Sequence, residues 1–299
     1  MRKAPDTIPW VTKAAHFATN LVARGVILAA LTMPSKMRGR VMGWMMAHVI
    51  GPLAGYRKRA RAHVAMILPH LPSAEQKRIA DTSLYNAGRT VIENYATRDL
   101  LDQQKNAAIS GAGFAALSEA RAKGRPALLV SGHFGNYEAV RAALIGRGFD
   151  VGGLYRDMSN PYFNAHYVQT LQALGGPVFA QDRAGMAGFL RHLKSGGQLV
   201  LLFDQHVENA PILDFLGKPA HTSTSAAELA LRYDASLIPF YGIRQPDGLS
   251  FASVLEAPIP HSDPVTMTQA LNDSLRARIL ENPEQWFWVA RRWRANRIT

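Results

Sequence analysis

The sequence contains no cysteine. This absence excludes disulfide bonds, thiolate nucleophiles, and zinc or iron–sulfur sites that are held by cysteine ligands. The chain also has no uninterrupted apolar run of the ~20 residues that a membrane-spanning helix needs, because Arg24, His48 and Pro52 interrupt its most apolar segments. Acidic side chains are almost missing from residues 1–61, where Asp6 stands against eleven Lys and Arg residues.

Basic side chains are in excess. The whole chain has 34 Lys and Arg residues against 22 Asp and Glu residues, and the last nine residues include four arginines and no acid. Such a surplus predicts a polyanionic partner, either nucleic acid or an anionic membrane surface. The sequence has no zinc-finger spacing and no aromatic RNA-binding strand, and its basic residues alternate with aliphatic and Met side chains. We therefore expect a membrane surface as a partner and no nucleic acid.

Residues 1–62 are predicted to form apolar, basic helices that associate with a membrane. Trp44 and Tyr56 are side chains typical of a membrane interface, and the cations of Arg57-Lys58-Arg59 suit anionic headgroups. The short apolar segments favour a peripheral or monotopic attachment over a spanning one. The alternative interpretation is that these are core helices with a solvated rim of charge.

Residues 63–299 are predicted to form an α/β domain with a mostly parallel central sheet flanked by helices. Short apolar runs alternate with helical patterns, as in βαβ units. The strands are expected at Ala127–Val130, Phe149–Leu154, Val178–Ala180, Leu199–Phe203 and Leu237–Tyr241, and Phe251–Leu255 is a further candidate. The helices are expected at about residues 74–98, 101–108, 113–123, 137–146, 160–174, 184–194, 223–233 and 267–280.

Polar and ionisable residues follow four of these expected strands. In an open α/β sheet, ligands bind beyond the carboxyl ends of the strands, so these residues should meet at one edge of the sheet. The four sets are Ser131-Gly132-His133, Tyr155-Arg156-Asp157, Gln181-Asp182-Arg183 and Asp204-Gln205-His206.

The segment Ser131–Glu138 has the residue types of a base with an orienting carboxylate. Asn136 suits the N-cap of a helix, which places Glu138 in the first turn, pointing back towards His133. A carboxylate there can accept one imidazole N–H and leave the other nitrogen as a base. Gly132 and Gly135 allow another group to approach closely. No protein nucleophile is evident, so this pair would suit deprotonation of a substrate hydroxyl.

Other interpretations of the same residues are structural or metal-binding. Glu138 can complement the helix dipole alone, and a lone His is often a satisfied core or surface residue. A metal site is not expected, because the sequence has no His-Glu-x-x-His and no His-x-His pair.

The ordered set of motifs resembles the lipid A biosynthesis lauroyl/myristoyl (late) acyltransferases. The His-x4-Glu signature of these enzymes is present as His133–Glu138. Further blocks that resemble the family are Ala65–Pro72, Asn86–Glu93, Tyr155-Arg156 with Asn160-Pro161, Leu202–Gln205, Phe215–Pro219, Ala235–Pro239, and Pro283–Trp288 with Arg291-Arg292. The resemblance implies a fold similar to that of the glycerolipid acyltransferases.

What the resemblance implies is transfer of an acyl chain from acyl carrier protein to a hydroxyl of a lipid A precursor, an anionic glycolipid, at the cytoplasmic face of the inner membrane. No metal or organic cofactor is implied. His133 would be the general base with Glu138 as its partner, and Asp204 is the alternative carboxylate for orienting it. Arg156 would hold the thioester carbonyl or a phosphate. The other residues expected to contact substrate are Asn136, Arg183 and Gln205.

Two alternatives stay open at this point. The same chemistry could act on another acceptor, such as a lysophospholipid, an amino-acid lipid or another glycolipid. A non-catalytic membrane lipid-binding protein is the less favoured alternative. The sequence leaves acyl chain length and oligomeric state open.

Overall fold

The computed structural model describes residues 9–293 and is built around a central sheet. Arg2, Lys3, Asp6, Arg294 and Arg297, which belong to the charged ends of the chain, lie outside the described residues. The strands are β1 (Ile109–Ser110), β2 (Ala127–Ser131), β3 (Val151–Tyr155), β4 (Val178–Ala180), β5 (Gln198–Leu202), β6 (Ile212–Phe215), β7 (Lys218–His221), β8 (Ser236–Arg244) and β9 (Phe251–Leu255).

The central sheet has the order β1-β9-β8-β2-β5-β3-β4. Strands β8, β2, β5, β3 and β4 run parallel to one another, whereas β9 runs antiparallel to β8. The predicted mostly parallel sheet is therefore confirmed. All five residues of β2 are buried, because helices cover both faces of the sheet. The sequence did not predict the short β1 or the separate β6–β7 hairpin.

Helices cover the sheet and form the N-terminal section. They are α1 (Trp10–Leu31), α2 (Ser35–Met45), α3 (Gly51–Leu53), α4 (Tyr56–Ile67), α5 (Ser73–Tyr95), α6 (Thr97–Gln104), α7 (Ala112–Ala122), α8 (Tyr137–Ile145), α9 (Pro161–Leu174), α10 (Arg183–Lys194), α11 (Ser225–Tyr233) and α12 (Pro264–Glu281). A π-helical turn, Met46–Ile50, joins α2 to α3, and Pro283–Gln285 is a 3-10 turn after α12.

One predicted helix is wrong in its placement. The sequence pattern placed a helix at Leu101–Ala108, but α6 occupies Thr97–Gln104. The helical backbone breaks once, at Ala96 (φ −85°, ψ 51°), so α6 begins directly after α5. The pattern missed this break because no Gly or Pro marks it.

Helix α1 is longer than the apolar segments of the sequence indicated. It is one helix of 22 residues that continues through Arg24, and it is long and apolar enough to cross a membrane. The argument from short segments was wrong for this helix, because Trp10 and Phe17 extend its apolar side towards the N-terminus. The same length and composition also suit a helix that lies on a membrane surface, so the peripheral attachment stays a prediction.

The N-terminal helices leave a large apolar surface uncovered. We call this set the apolar face, and its exposed members are Trp10, Val11, Phe17, Leu21, Val22, Leu28, Met37, Trp44, Val49, Ile50 and Leu53. Helices α2 and α4 pack on α5, and α5 is bonded through Thr90 to the loop after β2 and through Glu93 to Arg244 at the end of β8. Because α4 runs through residue 62, the helices give no break there, and the division into residues 1–62 and 63–299 stays a prediction.

Candidate active site

His133 lies at the carboxyl end of β2, in the loop that leads to α8. The central position of β2, between β8 and β5, brings this loop beside the residues that follow the neighbouring strands. The side chain of His133 is 26% exposed, so its ring is partly accessible. A parallel sheet therefore places an accessible imidazole at the ligand-binding edge, where the sequence predicted it.

Asp204 is the carboxylate that pairs with His133. It follows β5, and its Oδ1 lies 2.7 Å from Nδ1 of His133. Its Oδ2 accepts a hydrogen bond from the backbone N–H of His133 at 2.8 Å. The paired register of β2 and β5 produces this contact, because Ser131 lies opposite Leu202 and the segments that follow the two strands leave the sheet side by side.

The two partners stabilise each other's charged form. Burial disfavours the imidazolium of His133, but the charge of Asp204 and the hydrogen bond outweigh it and raise the pKa of His133. Burial also opposes ionisation of Asp204, but the charge and hydrogen bonds of His133, with a bond from Trp286, lower its pKa. An ionised Asp204 requires Nδ1 of His133 to donate, which leaves Nε2 as the basic nitrogen.

Nε2 of His133 is the nitrogen that can meet a substrate. Within residues 9–293 it has no hydrogen-bond partner. The ring of Tyr137 stands edge-on to the imidazole, with centroids 6.2 Å apart. Burial, followed by the charges around it, raises the pKa of Tyr137 well above its ordinary value, so this hydroxyl stays protonated.

Of the two carboxylates that the sequence left open as partners of His133, the structure pairs Asp204, and not Glu138, with its ring. The carboxylate of Glu138 accepts a hydrogen bond from Arg141 at 3.1 Å, and both side chains are buried. Arg141 is one helical turn further along α8 and also donates to the carbonyls of Val151 and Gly175. Glu138 nevertheless lines the same cavity as His133. Arg141 of the same helix therefore fixes the carboxylate of Glu138, and Glu138 remains part of the cavity lining.

Asn136 caps α8 as predicted, and its side chain is fully buried. Its Oδ1 accepts from the backbone N–H of Glu138, and its Nδ2 donates to Glu93 at 3.2 Å. The expected contact of Asn136 with substrate therefore competes with two contacts inside the protein. Its observed contacts hold the loop that carries His133.

The glycines of this loop allow Asp204 and the backbone of β8 to approach it closely. A Cβ on Gly132 would lie 2.9 Å from Oδ2 of Asp204. Gly135 has a positive φ of 55°, and a Cβ there would lie 2.0 Å from the carbonyl oxygen of Gly242. The close approach that the sequence indicated is thus made by Asp204 and β8.

A cavity of about 680 Å³ opens beside His133. Its volume is within the roughly 300–1,000 Å³ of small-molecule sites. The N-terminal helices form one wall and α9 another, while His133, Tyr137 and Glu138 lie on its polar side. The remaining lining is largely apolar and includes Ile27, Met46, Ile50, Phe163, Leu171 and Leu174.

Three predicted substrate contacts lie away from this cavity lining. Arg156, Arg183 and Gln205 are exposed residues after β3, β4 and β5, at the predicted edge of the sheet. None of them lines the cavity. They share an edge with His133, and their contact with substrate stays a prediction.

Trp286, Glu93 and Arg244 belong to the site, although the sequence argument gave them no role in it. Nε1 of Trp286 donates to Oδ2 of Asp204 at 2.9 Å. Arg244 forms a two-point ion pair with Glu93, at 2.5 and 2.7 Å. Glu93 lies in the motif block Asn86–Glu93, and Trp286 lies in the block Pro283–Trp288. These two blocks were the features of the sequence that could have indicated a role for both residues.

Comparison with known proteins identifies the family of this chain. The family model described as bacterial lipid A biosynthesis acyltransferase matches residues 11–295. A lipid A biosynthesis acyltransferase of Haemophilus influenzae is 21% identical over 268 residues, which cover 88% of this chain and 83% of the relative. A lipid A biosynthesis lauroyltransferase of Escherichia coli is 24% identical over 245 residues, covering 79% and 78%. The chain therefore belongs to the bacterial lipid A biosynthesis acyltransferase family.

Proposed function

We propose that the protein transfers a fatty acyl chain from acyl carrier protein to a hydroxyl of a lipid A precursor, with His133 as the general base. The observation that carries this proposal is the His133–Asp204 pair beside a largely apolar cavity. An imidazole with one nitrogen held by a carboxylate is a base, and the adjacent apolar space suits a hydrocarbon chain.

The reaction would proceed by direct attack. Nε2 of His133 takes the proton of the acceptor hydroxyl while the oxygen attacks the carbonyl carbon of the thioester. The tetrahedral intermediate then breaks its carbon–sulfur bond, the ester forms, and the protonated imidazole returns the proton to the leaving thiolate. Asp204 stabilises the imidazolium during both proton transfers.

The role proposed for Arg156 is to bind the thioester carbonyl or a phosphate, and Arg183 and Gln205 would contact substrate at the same edge.

The acceptor lipid would reach the site from the membrane. Ile50 lines the cavity and is also an exposed member of the apolar face. If the apolar face rests on the cytoplasmic leaflet of the inner membrane, the cavity meets the hydrocarbon region there. The exposed cations Arg24, Lys36, Arg40 and Lys58 on the same section favour anionic headgroups.

The donor is proposed to be acyl carrier protein because the reaction needs an activated acyl group and the chain carries a net charge of +12. A basic surface favours association with an acidic carrier. Neither a metal nor an organic cofactor is required by the reaction as written.

Mass spectrometry of lipid A tests the acceptor. Lipid A from a strain without this protein should lack one acyl chain, and expression of the wild type should restore it. The His133→Ala variant should fail to restore it, while His70→Ala, which changes an exposed histidine outside the cavity, should succeed. Unchanged lipid A with another lipid altered would move the acceptor to a lysophospholipid, an amino-acid lipid or another glycolipid. No lipid change in this strain would count against the proposal and favour lipid binding without catalysis.

A further inference from the structure

Three N–H donors converge on the carboxylate of Asp204. Two belong to His133, and they bind Oδ1 through Nδ1 and Oδ2 through the backbone N–H. The third is the indole N–H of Trp286, which lies 82 positions further along the chain and binds Oδ2 at 2.9 Å. Asp204 and Trp286 are both fully buried, so water does not substitute for this donor.

Trp286 is fixed relative to the loop that carries His133. The backbone N–H of Phe287 donates to the carbonyl of His133, and the N–H of Gly135 donates to the carbonyl of Gln285, both at 2.9 Å. Phe134 and Trp286 form an antiparallel bridge between these contacts. The indole and the imidazole are therefore held in one register, on either side of the same carboxylate.

We propose that Trp286 is a positioning residue, whose indole N–H holds the carboxylate of Asp204 in the orientation that accepts the Nδ1 proton of His133. This inference rests on the proposed role of His133 as the base. Without the indole, the donors that Asp204 keeps among residues 9–293 would all come from His133 itself. Its carboxylate could then rotate with the histidine, and the direction of Nε2 would be less well defined.

The indole also disperses the negative charge of Asp204. Removal of this donor concentrates the charge on the side of His133, which should raise the pKa of the imidazole further. A base works in its neutral form, so the acid limb of the rate–pH profile should move to higher pH. Among the described residues, the other charged or titratable groups that face the pair are Tyr137 and Glu138 on α8, Tyr241 on β8, and Arg292 after the 3-10 turn Pro283–Gln285.

Trp288 provides a matched control. It is also fully buried and packs against Trp286 with ring centroids 4.8 Å apart. Its indole N–H donates to the carbonyl of Pro283, outside the His133–Asp204 pair. Trp286→Phe and Trp288→Phe each remove one indole donor from the same segment, and they differ in whether Asp204 loses it.

The experiment compares both variants with the wild type in acyl transfer, thermal unfolding and ¹H–¹⁵N NMR of the histidines. Both variants should lower Tm. Trp286→Phe alone should lower kcat about tenfold or more with little change in KM, shift the rate–pH profile upwards, and raise the NMR titration midpoint of His133. His133→Gln assigns the His133 resonances.

Equal losses of activity in the two variants, with wild-type pH profiles, would reduce Trp286 to a core residue and overturn the inference. If the wild type transfers no acyl chain, the proposed function fails, but the His133 midpoint still tests Trp286. If Trp286→Phe does not fold, the wild-type indole N–H resonance provides the test. It should shift with the titration of His133, and an unmoved resonance would contradict the shared carboxylate.

Discussion

At the residue scale, the site depends on which carboxylate reaches His133. The sequence offered Glu138, which follows in the same segment, and Asp204, and it left open which of them orients the ring. Arg141 explains the outcome, since it stands three residues after Glu138 on one helix face and binds its carboxylate. That pairing was visible in the sequence. The contact with Asp204 was less visible, because it depends on β2 and β5 being neighbours in the sheet.

Asp204→Asn tests the electrostatic role of this pair. The negative charge of Asp204 raises the pKa of His133, so the variant should lower that pKa and move the acid limb of the rate–pH profile to lower pH. The plateau rate should fall on the order of 10²-fold or more, because the amide can stabilise the wrong tautomer. Steady-state kinetics between pH 5 and pH 9 measure both effects. A profile that keeps its wild-type midpoint would exclude Asp204 as the charged partner.

At the element scale, one face of α5 holds the loop that carries His133. Asn86, Thr90 and Glu93 recur at helical spacing. Asn86 donates to the carbonyl of Glu284, Thr90 donates to the carbonyl of Gly135, and Glu93 accepts from Asn136. Arg244 completes this junction from the end of β8. The motif Asn86–Glu93 therefore joins the N-terminal section to the loop of His133.

Glu93→Gln should reduce both stability and kcat. The substitution leaves the guanidinium of the buried Arg244 without its charge partner, which should cost about 3 kcal/mol. Because Glu93 also accepts from Asn136, kcat should fall as well. Thermal unfolding and steady-state kinetics are the measurements.

Glu256→Gln is the control for this prediction. It breaks a comparable pair with Arg278, whose atoms lie 2.6 Å apart, on α12 and outside the cavity lining. It should lower Tm and leave kcat near the wild-type value. An equal effect of the two variants on kcat would mean that general destabilisation explains the loss.

The elements that the sequence predicted share a physical cause. Parallel strands such as the buried β2 and the partly buried β4 are short apolar runs, and the sequence placed them to within a residue. The β6–β7 hairpin was missed because it has exposed residues, including Ile212 and Lys218, and lies outside the central sheet. The break at Ala96 and the π-helical turn Met46–Ile50 depend on packing, which no local residue type marks.

At the scale of the whole molecule, charge and apolar surface are concentrated on the N-terminal section. The sequence predicted the cluster Arg57-Lys58-Arg59 as the membrane contact. In the structure Arg57 pairs with Asp81, and Arg59 donates to the carbonyl of Val289, whereas Lys58 is exposed. The exposed cations Lys36, Arg40 and Lys58 are therefore better candidates to meet anionic lipid.

The triple variant Lys36→Gln, Arg40→Gln and Lys58→Gln should bind anionic vesicles less tightly. Each cation near the surface contributes about 1 kcal/mol, so the affinity should fall on the order of 100-fold, and high salt should weaken the wild type similarly. Vesicle co-sedimentation measures it. The double variant Arg191→Gln and Lys194→Gln, which changes exposed cations of α10, is the control and should bind normally. Unchanged binding of the triple variant would favour attachment through α1 alone.

The central claim is that the acceptor hydroxyl, activated by His133, attacks the thioester directly. The most direct measurement combines purified protein, acyl carrier protein with a labelled acyl chain, and a lipid A precursor, followed by intact-mass spectrometry of the protein and analysis of the lipid. The wild type should acylate the lipid without an acyl–protein adduct, and His133→Ala should reduce transfer by about 10²-fold or more while the variant remains folded. An acyl–protein adduct that transfers its chain to the lipid, or wild-type rates in His133→Ala, would contradict the account.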